Sequence, residues 1–403
     1  MQTQLIDSIR NTANGKVADE ILRRCVHCGF CNATCPTYLL LGNENDGPRG
    51  RIYLVKQLLE GKETGKKTLK HLDRCLTCRN CETTCPSGVE YSKLLDIGRE
   101  VAEQQISRPN KEMKMRKRLR TFLPYSKRFK TLLNLGRTFK FLLPKAMTAK
   151  IPQKRPVGEW PKEQYNRKML VLAGCVQAAI TPEINAATAR VLGRLGIDLI
   201  EANSAGCCGA VSQHLTAPKE AKQFMYNNID AWWPYIEAGT EAIVMTASGC
   251  GSMVKDYGYI LRHDPNYAEK AKKVSALCKD LSEILISERY QIFTRNDCPS
   301  IAWHPPCTLQ HGQKITGVVE KLLSDIGYQL KPIADSHLCC GSAGTYSILQ
   351  PELSQQLRER KLDSLLQQSP EFIVTANVGC QVHLQEKTKT PVQHWVQLLD
   401  QPV

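Results

Sequence analysis

The chain carries the run Cys25-x2-Cys28-x2-Cys31-x3-Cys35-Pro36 and repeats it as Cys75-x2-Cys78-x2-Cys81-x3-Cys85-Pro86, every cysteine fifty positions after its counterpart. No other feature restricts the fold as strongly. Three thiols spread over seven residues can converge on one small object only if the backbone wraps tightly around it. A proline after the fourth thiol cannot continue a helix and turns the chain away.

This is the spacing at which bacterial ferredoxins hold [4Fe–4S] clusters, the fourth cysteine of each run serving the other cluster. The expected ligand sets are therefore Cys25, Cys28, Cys31 and Cys85 for one cluster, and Cys75, Cys78, Cys81 and Cys35 for the other. A four-cysteine zinc site is the alternative, but zinc ribbons use two CxxC pairs rather than two runs of this form. Between the runs lie Asp46-Gly47-Pro48-Arg49-Gly50-Arg51 and an apolar helical pattern at Ile52, Leu54, Val55, Leu58 and Leu59. Helices are expected over 15–24, 50–61, 66–74 and 91–105. A connection this long and helical resembles the α-helical ferredoxin domain of succinate dehydrogenase and related electron-transfer subunits. Arg49 and Arg51 either offset cluster charge or are solvated turn residues.

A second duplication fills the C-terminal half. Cys175, Cys207-Cys208-Gly209 and Cys250 recur as Cys307, Cys339-Cys340-Gly341 and Cys380, at offsets of 132, 132, 132 and 130. Strand-like MLVLAG and SIAWHPP precede the first cysteine of each copy. A further apolar strand runs into Thr246–Cys250 and Thr375–Cys380, and helical stretches such as TARVLGRLG and VVEKLLSDIG lie between. Alternating strands and helices predict α/β units with parallel strands, the cysteines gathered at loop ends.

These halves resemble the duplicated cysteine-rich CCG domain of heterodisulfide reductase, anaerobic glycerol-3-phosphate dehydrogenase and glycolate oxidase. That domain ends in CxxC; here Met253 and His383 stand at the last position. Where five cysteines are present the domain can hold a non-cubane iron–sulfur cluster used in disulfide chemistry. The resemblance thus implies further clusters on Cys175, Cys207, Cys208 and Cys250, and on Cys307, Cys339, Cys340 and Cys380, while the missing fifth thiol speaks against disulfide reduction. His383 is either a replacement ligand or a hydrogen-bonding residue, and Met253 reads as packing. Cys278 and Cys298 fall outside the repeat and read as buried thiols. His304 and His311, flanking Cys307, read equally as structural or functional.

The net charge of +15 is local. Residues 108–155 hold sixteen Lys or Arg and one acid, Glu112, which leaves 38 bases against 38 acids elsewhere. Leu119, Phe122, Leu123, Phe129, Leu132, Leu133, Phe139, Leu142 and Leu143 recur there at helical spacing, broken near Pro124 and Pro144. Such a segment suits an anionic membrane surface, or packs within its own complex. Nucleic acid is not expected, since no binding module accompanies the charge. The N-terminus lacks an apolar signal core and no apolar run is long enough to span a bilayer, so a cytoplasmic or peripheral inner-membrane location is expected. In a reducing compartment the 18 cysteines point to metal, redox catalysis or both rather than disulfides.

No GxGxxG, P-loop, GxSxG or HExxH is present, so substrate chemistry is expected on a flavin held by a partner subunit. The expected architecture is α+β and multidomain: a helical ferredoxin unit at 1–106, a basic linker at 107–160, and CCG copies at 161–288 and 289–403. This order, with phrases such as RCVHCGFCNATCPTY, NNIDAWWP and SHLCCGSAGTY, resembles the iron–sulfur subunits of glycolate oxidases. The resemblance implies electron transfer from a glycolate-oxidising flavoprotein to a quinone or another acceptor, with no catalytic residue on this chain. The alternatives are a heterodisulfide-reductase-like catalytic subunit, a lactate or glycerol-3-phosphate system, and a zinc-stabilised scaffold.

Overall fold

The computed structural model describes residues 1–142, 144 and 151–401. Leu143 and residues 145–150 of the basic segment lie outside the described residues.

The N-terminal part is helical, with its main helices at Ala13–Arg24, Pro48–Leu59, Lys66–Asp73 and Tyr91–Gln105, where the apolar periodicity places them. The first is capped by Thr12, whose Oγ1 accepts from Gly15 N at 2.9 Å, worth about 1 kcal/mol. The second opens on Pro48, at a position where a missing N–H costs nothing. Leu22, Leu58 and Leu94 are 0% exposed in one shared core, each contributing roughly 2 kcal/mol. Gly98 lets the second and fourth helices close: a Cβ there would lie 2.5 Å from Val55 Cγ2.

The C-terminal half holds two four-stranded, fully parallel sheets of matching order. The first is built from β1 (Arg167–Val171), β2 (Ile197–Glu201), β3 (Ile243–Met245) and β4 (Cys278–Asp280) in the order β2-β1-β3-β4. The second repeats it with β5 (Ser300–His304), β6 (Gln329–Leu330), β7 (Phe372–Thr375) and β8 (Val392–His394), ordered β6-β5-β7-β8. Strand alternation divides their side chains. Met169 and Val171 of β1 join Ile301 and Trp303 of β5 in one core common to both copies. The intervening Leu170 and Ala302 face outward, into separate clusters that contain Cys208 in copy 1 and Cys340 with Cys380 in copy 2.

The basic segment forms helices Asn110–Phe122 and Ser126–Thr138, broken around Pro124 as expected. They behave differently. The first is tied to its own protein: buried Arg108 pairs with Asp73, Glu103 and Glu112, Arg116 with Asp73, and Arg120 with Glu220 of copy 1. The second buries no residue, and Leu132 and Leu135 are about half exposed.

Candidate metal centres

Each ferredoxin loop wraps with residues in the left-handed region. His27 and Gly29 lie at φ 58° and 89°, and Thr77 and Arg79, at the matching positions, at 54° and 60°. Alternating handedness turns successive N–H groups toward a common concave side, a cradle for negative charge. Thr77 N accordingly donates to Cys75 Sγ at 3.4 Å, and backbone N–H groups of His27 and Asn80 approach Cys25 and Cys78. Three of these four residues are not glycine, and such strain persists where the surroundings demand it.

The loops enclose two cavities. One is lined by Cys25, Cys28, Cys31 and Cys85, the other by Cys35, Cys75 and Cys78, with Cys81, Pro48 and Tyr91 forming a wall common to both. The chain thus brings together all eight expected thiols in two sets, each including a fourth cysteine from the opposite run. Burial pushes the Cys31 thiol up to about 11 and those of Cys78 and Cys81 well above the ordinary range. The thiolates that a cluster needs are therefore stable in this site only with a cation to hold them. Donor set, inward N–H groups and cavity together fit an iron–sulfur cluster.

The two arginines between the runs separate. Arg51 is 1% exposed; it bonds His71 O at 2.8 Å and Thr37 Oγ1 at 3.1 Å and sits 4.0 Å from Cys35 Sγ. Burial opposes its charge, yet Cys75, Tyr91, Cys35 and Asp46 hold its pKa above the usual value. Arg49 instead makes a half-exposed pair with Glu44 at 2.6 Å. Arg99, which sequence patterning does not distinguish from any surface base, is buried and donates to Leu72 O and Cys75 O.

In copy 1, Cys207 touches Cys175 and Cys208, and Cys208 touches Cys250. In copy 2, Cys307 Sγ lies 3.8 Å from Cys339 Sγ, Cys339 touches Cys340, and Cys340 touches Cys380. The CCG glycines make this possible. Gly209 and Gly341 have φ of 89° and 87°, and each N–H donates to the preceding Cys207 or Cys339 sulfur at 3.4 Å. Cys250 and Cys380 differ from expectation: they lie within helices Ser248–Lys255 and Val378–Gln385 rather than at loop ends.

The last CxxC position falls one turn further along those helices. Met253 packs in the copy 1 core. His383 turns from the thiols: its Nε2 faces Ser354 Oγ at 3.2 Å, and burial beside Arg358 brings its pKa down to about 4. His304 is instead the histidine grouped with Cys340 and Cys380, their ligand atoms within 4.8 Å of one another. His311 is structural, linking Thr83 Oγ1 at 2.9 Å to His337 O at 3.0 Å. Cys278 is buried as expected, whereas Cys298 is only partly so, because it lies in the segment before β5 beside Ile326 O.

Copy 2 covers the second ferredoxin cavity. Leu76 and Cys78 pack with Cys307, Cys339 and Tyr346, and Asn80 Nδ2 donates both to Thr34 O at 2.9 Å and to His337 O at 3.2 Å. Copy 1 is joined to the ferredoxin part by the Arg79–Asp256 ion pair and by Lys93 over the Tyr259 ring at 4.0 Å.

A helical two-cavity thiol unit docked on duplicated parallel sheets, each with its own thiol set, defines an iron–sulfur protein. The comparisons agree in detail. A 4Fe-4S dicluster domain matches residues 21–89, and a cysteine-rich domain matches 169–255 and again 301–385. The chain is 53% identical over 402 residues to the glycolate oxidase iron-sulfur subunit of Escherichia coli (strain K12), covering 100% of this chain and 99% of that one. It is 28% identical to the probable glycolate oxidase iron-sulfur subunit of Bacillus subtilis (strain 168), covering 92% and 90%. Lactate utilization protein A of Geobacillus thermodenitrificans is 26% identical over 54% of this chain and 90% of its own length. A solved hypothetical protein from Helicobacter pylori shares the fold, with a TM-score of 0.54 at 11% identity over 96% of this chain and 72% of that one. The chain belongs to the family of glycolate oxidase iron–sulfur subunits.

Proposed function

We infer that this chain is the electron-transfer subunit of a glycolate-oxidising complex, with electrons entering at the first ferredoxin site and leaving past the second. The asymmetry of the two cavities carries this reading. Cys28 of the first is exposed, flanked by Val26 at 69% and Phe30 at 61% exposure. Such an apolar rim around a redox centre suits docking of a partner, since interface cores are apolar and poor in charge. The second cavity faces copy 2 instead.

A [4Fe–4S] cluster bound there would supply one-electron uptake and release. Cys25, Cys28, Cys31 and Cys85 would hold the first, and Cys75, Cys78, Cys81 and Cys35 the second. The chain's residues supply the rest: inward N–H groups bond the sulfurs, Arg51 and Arg99 offset charge at the second site, and Tyr91 and Pro48 exclude water between the sites. Copy 2, packed against Cys78, is the next stop, and both thiol quartets are candidates for further centres. The donor is a flavoprotein that converts glycolate to glyoxylate, because no dinucleotide-binding motif exists on this chain. The acceptor is a quinone reached at the cytoplasmic face of the inner membrane.

No described helix is long and apolar enough to cross a membrane. Attachment falls instead to Ser126–Thr138, whose Leu132 and Leu135 are exposed among Lys127, Arg128, Lys130 and Arg137. Replacing both leucines by Asp should abolish salt-sensitive co-sedimentation with anionic vesicles; unchanged binding would remove the membrane assignment.

The central test is Cys28→Ser in the reconstituted complex. Acceptor-linked glycolate oxidation should be lost while glycolate still bleaches the partner's flavin. Unaltered turnover would overturn the route. Offering lactate and glycerol 3-phosphate in the same assay separates glycolate from its sister substrates.

A further inference from the structure

His304 is 1% exposed, and among the described residues its Nε2 has no hydrogen-bond partner. A buried imidazole nitrogen left unpaired has lost its water without gaining a partner and calls for an explanation. The other nitrogen is engaged: Nδ1 lies 3.1 Å from Thr375 Oγ1 on the neighbouring strand, with which His304 is in register. A ring whose Nδ1–H donates to a fixed oxygen presents a lone pair at Nε2, the arrangement by which metal-bound histidines are oriented.

Strand parity decides what that lone pair meets. Ile301 and Trp303 point into the core common to both copies, so Ala302 and His304 point to the opposite face, where Cys340 and Cys380 lie. One ring nitrogen and the two sulfurs fall within 4.8 Å of one another. Metal–sulfur bonds of about 2.3 Å and metal–nitrogen bonds of about 2.0 Å place tetrahedral ligands roughly 3.5–3.8 Å apart, so a small contraction closes the set.

The geometry points to a thiophilic metal centre in copy 2, either a lone divalent iron or zinc ion or an iron of a cluster, with His304 Nε2, Cys340 and Cys380 as ligands and the Cys307–Cys339 pair supplying the remainder. This goes beyond the electron-transfer reading and does not depend on the substrate. It also moves the nitrogen ligand away from the position the repeat nominates: His383 faces Ser354, and the strand end takes its place.

Copy 1 lacks the device. By the repeat offsets, Leu172 stands where copy 2 has His304, and Met245 where it has Thr375. Ligand and orienting residue are replaced together by an apolar pair. The two copies are therefore unequal, and the copy with the imidazole is the one packed against the second ferredoxin site.

The test uses the full chain purified anaerobically, with iron and zinc quantified and the metal environment read by X-ray absorption and by nitrogen hyperfine coupling on 15N-histidine protein. The wild type should show one imidazole nitrogen on a metal. His304→Leu, which copies the residue of copy 1, should lose that nitrogen signal and the metal it holds, while retaining the roughly eight irons of two cubanes. His304→Cys should regain metal with sulfur in place of nitrogen, which guards against simple misfolding. His383→Leu should leave the signal intact. Zinc in the nitrogen-bearing site indicates a lone structural ion, and iron a redox centre; either supports the ligation. A nitrogen signal that survives His304→Leu, or its absence from the wild type, would overturn it.

Discussion

Arg51 places its guanidinium 4.0 Å from Cys35 Sγ and 3.8 Å from Asp46 Oδ1 while 1% exposed. Asp46 is shared with His71 and Arg74 at 2.9 and 2.8 Å, so the buried positive charge is not wholly cancelled at the thiol. A unit charge about 7 Å from a cluster centre, at an effective dielectric near 20, is worth about 2 kcal/mol, or on the order of 100 mV. Arg51→Met should therefore lower the midpoint potential of the second cluster by roughly that amount, whereas Arg51→Lys should keep most of it. Redox titration followed by EPR measures both. Equal potentials in all three proteins would show that Arg51 serves only packing.

Asn80 joins three segments. Its amide donates to Thr34 O and to His337 O, the second contact crossing from the ferredoxin part to copy 2. Asn80→Ala leaves two carbonyls unmet, at about 1–3 kcal/mol, and loosens the packing of Cys78 against Cys307 and Cys339. Stopped-flow reduction should show normal filling of the first site but slower re-oxidation of the whole chain. Unchanged kinetics with unchanged stability would mean that water replaces the amide without consequence.

The ferredoxin half was legible because a thiol run with fixed spacing dictates its own backbone, and the helices Ala13–Arg24 to Tyr91–Gln105 carry unbroken apolar periodicity. The parallel sheets followed from the alternation of elements. What escaped was set by contacts distant in sequence. Arg51 and Arg49 are two residues apart in one turn, yet only the fold buries one of them. His383 stands where the repeat has a cysteine and reads as a replacement ligand or a hydrogen-bonding residue, while His304 reads equally as structural or functional. Strand parity already separated them, since His304 lies two positions after Ala302 and so on the thiol face. The shared core of the two copies, which gathers Trp303, Val171 and Val244 into one cluster, had no signature in either copy alone.

The CCG glycines allow a graded test of backbone strain. Gly196 has φ 75° and open space within 4 Å of where a Cβ would stand, so Gly196→Ala should cost about 1 kcal/mol, the left-handed penalty alone. Gly209→Ala adds an approach of 3.0 Å to Ala221 O, and Gly341→Ala one of 2.5 Å to Ser354 O. The order of destabilisation should be Gly341 over Gly209 over Gly196, with Gly341→Ala at about 3 kcal/mol or more. Urea unfolding of the three variants gives the ranking, and an equal cost at all three would remove steric approach as the reason for the motif.

His394 ties the copies together: Nε2–H donates to Thr246 O of copy 1 at 2.8 Å, while Nδ1 accepts from Val396 N at 3.2 Å. The bond to Val396 needs the neutral ring, since a proton on Nδ1 would face a backbone donor. Burial brings its pKa from 6.5 down to about 4, only partly opposed by the Thr246 carbonyl. The unfolded chain then takes up the proton first as pH falls. The stability this residue confers is complete above about pH 6.5 and is lost progressively down to about pH 4, by on the order of 3 kcal/mol in all. His394→Gln keeps a donor for Thr246 without a titrating group. It should be less stable than wild type at pH 7.5, where Val396 N loses its acceptor, but should lose less stability between pH 7 and 5. Parallel urea unfolding across that range decides it; identical losses in the two proteins would assign the acid sensitivity to other groups.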